Sequence, residues 1–127
     1  MRYSGRIMTT LLALGVVVGA VTGVATGQAK GNATTGKALY QSAECVTCHG
    51  ATGKGDGPKA ARMKEKPTDW TTAEGGGLKG LNDEKLFEVI ANGGKAIGRS
   101  RAMPAAPDLS DAQVWDLVAY VKSLAKK

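Results

Sequence analysis

The feature that most constrains this chain is the run Cys45-Val46-Thr47-Cys48-His49, which uses both cysteines and the only histidine of its 127 residues. C-x-x-C-H is the pattern of c-type haem attachment. Two thiols add across the two vinyl groups of one haem, and two intervening residues let both sulfurs reach. The histidine follows directly, so its imidazole comes to the iron. Three other readings use the same residues. A Cys45–Cys48 disulfide would leave His49 incidental, and a thioredoxin-like dithiol needs a βαβ setting. A half zinc site would need ligands from another chain, since two Cys and one His cannot complete a four-ligand site. Haem accounts for all three residues at once, so the expected cofactor is one covalent haem c with its iron, held by Cys45, Cys48 and His49.

With one histidine, bis-histidine ligation within the chain is excluded. Beyond the leader, the methionines are Met63 and Met103. Met103-Pro104 lies far from His49 in sequence, in a loop before the last helical segment, where a return to the opposite haem face is natural. Met63 stands among Arg62, Lys64, Glu65 and Lys66, a stretch that reads as solvated. Met103 is the expected second axial ligand. Met63 and an open position are the alternatives, and an ordinary core methionine is the plainer role for Met103.

Residues 1–29 read separately from 30–127. Arg2 and Arg6 are the only charges before Lys30, and Leu11 to Val21 is strongly apolar. A basic start, an apolar middle and small residues near the end describe an export signal, with cleavage expected after Ala29. The alternative is an uncleaved membrane anchor, because Ile7 to Ala29 reaches the roughly 20 residues a spanning helix needs. Glycines 15, 19, 23 and 27 weaken that second reading. Either way the domain lies outside the cytoplasm, and the expected location is periplasmic.

Residues 30–127 contain three helical patterns and no strand-like alternation. The first starts at Asn32 and ends near Ser42. The second runs from Asp83 to Asn92, capped by Asn82, with Leu86, Val89 and Ile90 inward. The third opens on the capping box Ser110-Asp111-Ala112-Gln113 and carries Val114, Leu117, Val118, Val121 and Leu124 at helical spacing. Long glycine-rich loops connect them, and loops that long in a small domain usually wrap something. Only 5% of residues are aromatic, and a domain this small buries a limited share of its surface, so a prosthetic group would help its core. The fold class is all-α. Gly50 to Gly55 suggests a phosphate loop but lacks the spacer and the Ser/Thr after Lys54.

These segments together resemble the class I monohaem cytochromes c, specifically the small bacterial exported type. The resemblance spans about residues 32–126. It rests on Gly36 to Tyr40, Cys45 to Gly50, Gly53 to Pro58, Met103-Pro104 and Leu109 to Leu124. It implies a cytochrome c-like fold in which the first and last helices cross at Gly36, with Tyr40 and Tyr120 as aromatic contacts. It implies that the Pro58 carbonyl accepts a hydrogen bond from the His49 Nδ1–H. Trp70 is either a haem-propionate contact or plain core.

The net charge is +6. Lys54, Lys59, Arg62, Lys64 and Lys66 form one basic stretch, and Lys95, Arg99 and Arg101 another. A haem edge in such a field would meet redox partners through an acidic docking face. No groove-reading or aromatic-lined element points to nucleic acid. The leading expectation is a carrier of single electrons with no catalytic residues. The alternatives are a gas sensor or enzyme with an open sixth position, and a dedicated electron-entry subunit of a membrane oxidoreductase.

Overall fold

The computed structural model describes residues 30–72 and 76–125. The leader expected over residues 1–29 lies outside the described residues. Four α-helices carry the fold: α1 (Ala33–Ser42), α2 (Val46–His49), α3 (Asp83–Asn92) and α4 (Asp111–Leu124). Short 3₁₀ turns sit at Ala60–Arg62, Gly76–Leu78 and Gly94–Ile97. There is no strand among the described residues, and no helix there is long and apolar enough to cross a membrane.

Each long helix begins where its cap dictates. The Asn32 side chain accepts from the Thr34 and Thr35 amides, and Asn82 from the Lys85 amide. At Ser110 the full capping box forms: its side chain accepts from the Gln113 amide, and the Gln113 side chain accepts from the Ser110 amide. Such caps satisfy amides that have no partner within the helix. α3 stops at Gly93, as its sequence suggests.

α1 crosses α4 at closest approach at Gly36. A Cβ there would stand 2.0 Å from the Asp116 carbonyl oxygen and 2.9 Å from Tyr120 Cβ. Only glycine permits that spacing, which explains its place in a helix where it costs about 1 kcal/mol against alanine. The Asn32 amide donates to the Asp116 carboxylate at 2.6 Å, pinning the entry of α1 to α4. The core is built on this crossing, with Tyr40, Leu117, Tyr120, Val121 and Leu124 packed around Trp70. Tyr40 meets Tyr120 edge-on at 5.2 Å between ring centroids. α3 joins from the side: Phe87 lies against Trp115 at 4.7 Å, and Lys122 pairs with Asp83.

Candidate haem site

α1 ends at Ser42 with Ala43 as its cap, and Glu44 then takes a left-handed conformation (φ 58°). That conformation is uncommon for a residue with a Cβ. It turns the chain directly into α2, so the C-x-x-C-H run is itself helical, with the His49 amide donating to the Cys45 carbonyl at 2.9 Å. The following loop folds back over α2. Gly55 donates to the His49 carbonyl at 2.9 Å, Gly57 to Cys48 at 3.2 Å, and Lys59 to Thr47 at 2.8 Å. From the core side, Tyr40 Oη donates to the Gly50 carbonyl at 2.7 Å. Burial pushes the Tyr40 phenol well above its usual pKa, so it stays a donor.

Cys45, Cys48 and His49 open onto an apolar cleft of about 590 Å³, within the ~300–1,000 Å³ typical of ligand and cofactor sites. Leu86, Val89 and Ile90 of α3, with Leu117 and Val121 of α4, form its walls. The loop that follows α3 brings Met103 and Pro104 to the lining. That loop is fastened at both ends: Gly94 donates to the Met103 carbonyl and Ala106 to the Ala91 carbonyl, each at 3.1 Å.

These residues fit a covalently attached haem on three counts. Both cysteines are half-buried on the cleft lining and not joined in a disulfide. Burial pushes the His49 imidazole down to about 4, so at neutral pH it is uncharged, the form that can ligate a metal. The walls are apolar, as a porphyrin requires.

Sequence-expected positions separate here. Cys45, Cys48, His49, Met103 and Trp70 all line the cleft. Pro58 does not: it is exposed and lies outside the lining. The hydrogen bond expected from His49 Nδ1–H to its carbonyl is not made. That buried nitrogen has no hydrogen-bond partner among the described residues. The loop instead aligns through the amides of Gly55 and Gly57 on the carbonyls of His49 and Cys48. Trp70 belongs to the core, 9% exposed, and also lies flat against His49, with centroids 4.2 Å apart and planes 25° apart. Nothing in the sequence spacing signals that stack.

Met63 also differs from expectation. The 3₁₀ turn at Ala60–Arg62 rotates it inward, leaving Lys64, Glu65 and Lys66 exposed, and Met63 lines the cleft too. Beside it a shallow groove is lined by Met63, Lys64, Glu65 and residues 98–102. The two basic stretches, remote in sequence, therefore meet at one edge: Lys64 with Arg99 and Arg101. Lys59, Lys66 and Arg99 reach the cleft lining itself, along with Glu44 and Glu65. The Arg99 guanidinium donates to the Gly77 carbonyl at 3.0 Å, tying the Met103 loop to the segment after Trp70.

Comparison with known proteins points the same way. The family model described as cytochrome c oxidase, cbb3-type, subunit III matches residues 31–121. Cytochrome c oxidase subunit 2 of Alkalihalophilus pseudofirmus is 30% identical over 94 residues, covering 72% of this chain and 25% of that protein. A chain of the reducing HAO-like protein complex of Kuenenia stuttgartiensis superposes with a TM-score of 0.60 at 33% identity, covering 73% of this chain and 43% of the other. This chain thus spans a quarter of the curated relative's length.

Proposed function

This chain belongs to the cbb3-type cytochrome c oxidase subunit III family, a family of c-type cytochromes, and from that premise we propose that it carries single electrons on a haem iron ligated by His49 and Met103. Family membership makes it an electron-transfer protein with a covalently bound haem c and its iron. The finer reading rests on one observation: Cys45, Cys48, His49 and Met103, spread over nearly 60 positions of sequence, line one apolar cleft. His/Met ligation raises the reduction potential and suits an electron carrier. Haem supplies the redox chemistry when bound. The chain's own part is to tether, to ligate, to exclude water and to present an edge.

Met103 is preferred to Met63 because its loop is pinned at Gly94 and Ala106, whereas Met63 follows a single 3₁₀ turn at the surface. Met103→Ala should lower the potential and let carbon monoxide bind, while Met63→Ala should leave both nearly unchanged. The reverse pattern would exchange the two assignments.

The export reading of residues 1–29, with cleavage after Ala29, places the domain in the periplasm. The edge formed by Lys64, Arg99 and Arg101 supports docking of an acidic redox partner. Raising salt from low ionic strength should then slow reduction by an acidic partner severalfold. A flat response would remove electrostatic docking.

A second reading draws on the relatives: one is a subunit of an oxidase and another a chain of a redox complex. In it, the domain is the electron-entry unit of a membrane oxidoreductase, with residues 1–29 kept as an anchor. Sequencing the N-terminus of the purified protein decides between the two fates of the leader.

A further inference from the structure

An imidazole bound to a metal through one nitrogen can still rotate about that bond, and its orientation is usually set by a hydrogen bond from the other nitrogen. Here that bond is missing. His49 Nδ1 is buried without a partner among the described residues, and Pro58, the residue expected to supply one, is exposed and off the cleft. What does contact the ring is Trp70, stacked on it at 4.2 Å with planes 25° apart.

Trp70 is itself tightly held. Its amide donates to the Gly53 carbonyl at 2.9 Å. Gly53 lies so close beneath the indole that a Cβ there would stand 2.9 Å from Trp70 Cε3, and one on Gly77 would stand 3.1 Å from Cδ1. Tyr40 packs edge-on at 6.3 Å, and Tyr40 is fixed in turn by Tyr120 and by its bond to Gly50. An indole confined on several sides offers one fixed plane, and a stacked imidazole must follow it.

We propose that Trp70 is a positioning residue that sets the rotational orientation of the axial imidazole of His49 by stacking, in place of a hydrogen bond to Nδ1. This rests on His49 being an iron ligand, and it goes beyond that reading by assigning a role to a residue that acts on the iron only through its ligand.

In an oxidised low-spin haem held by one imidazole and one thioether, the orientations of both ligands govern how unpaired spin is shared among the haem methyl groups. The order of the hyperfine-shifted methyl resonances in the proton NMR spectrum therefore reports the imidazole where the shifted Met103 methyl shows the sulfur unmoved, and only variants that meet that condition are counted. The experiment compares the oxidised holoprotein with Trp70→Phe, Trp70→Leu and Trp70→Met, each with labelled histidine. Phe retains a flat face and should keep the wild-type methyl order. Leu and Met retain apolar bulk without a face and should rearrange it. A folded Leu or Met variant with the wild-type order would overturn the proposal, even if its denaturation midpoint had fallen, because lost packing alone lowers the midpoint without rearranging the methyls. Using both variants keeps the test alive if one fails to accumulate. The labelled histidine separates the two levels. Absence of a hyperfine-shifted His49 ring in the wild type would sink the ligand assignment and this proposal together. Its presence with an unmoved methyl order would sink this proposal alone.

Discussion

The α1–α4 crossing and the haem cleft share helices but are built differently. At the crossing the chain fills its own space: Tyr40, Leu117 and Val118 are each 1% exposed, and backbone approaches backbone at Gly36. Around the cleft, Met63, Leu81, Ile90, Met103 and Leu109 are only half-buried and are arranged about a space. One region is packed by contacts among its own residues. The other combines walls from α3 and α4 with loops whose apolar side chains converge on a cofactor. The lesson is that the crossing is a frame and the cleft a socket, joined at Tyr40, Trp70, Leu117 and Val121, which belong to both.

The most severe way to test this division is to remove the tethers. Cys45→Ala with Cys48→Ala should abolish covalent haem. The crossing alone is too small to stand, since a domain of this size buries too little surface without its prosthetic group. The cooperative thermal transition should therefore disappear along with the chromophore. Retention of the holoprotein's midpoint would show the frame to be self-sufficient.

Gly36→Val strikes the frame and spares the socket. The valine must push α1 off the Asp116 carbonyl, and overpacking of this kind costs about 1–3 kcal/mol. Denaturant unfolding should report that loss, with the reduction potential nearly unchanged. A potential shift as large as that of Met103→Ala would mean the two regions are not separable.

Tyr40→Phe tests the joint between them with a smaller effect. It deletes the hydroxyl that reaches Gly50, the residue after His49. The expected loss is about 1 kcal/mol, the net worth of one buried hydrogen bond. No loss in equilibrium unfolding would show that Tyr40 holds the loop by packing alone.

Much of the frame was legible in the sequence because its signals are local. Asn32, Asn82 and the Ser110–Gln113 pair mark helix starts, and the apolar repeat from Val114 to Leu124 marks a buried face. The close approach at Gly36 came from family resemblance, and the distances there bear it out. The four-residue helix over Val46–His49 was not legible, because it is shorter than any periodic pattern can reveal. In the socket, the covalent motif is local and was readable. The relations between remote residues were less so. Met63 reads as solvated from its charged neighbours, yet one 3₁₀ turn brings it to the cleft. Pro58 was carried over from the family, but the loop aligns instead through Gly55 and Gly57. The stack of Trp70 on His49 joins residues 21 positions apart through tertiary packing, which no spacing rule encodes.

The central claim is that His49 and Met103 occupy both axial positions and leave the iron to carry electrons only. The visible spectrum of the reduced holoprotein, recorded with and without carbon monoxide, tests it most directly. The account predicts superimposable spectra. A strong band shift on adding carbon monoxide would contradict it, placing an open or displaceable ligand on the iron and making the protein a gas sensor or haem enzyme.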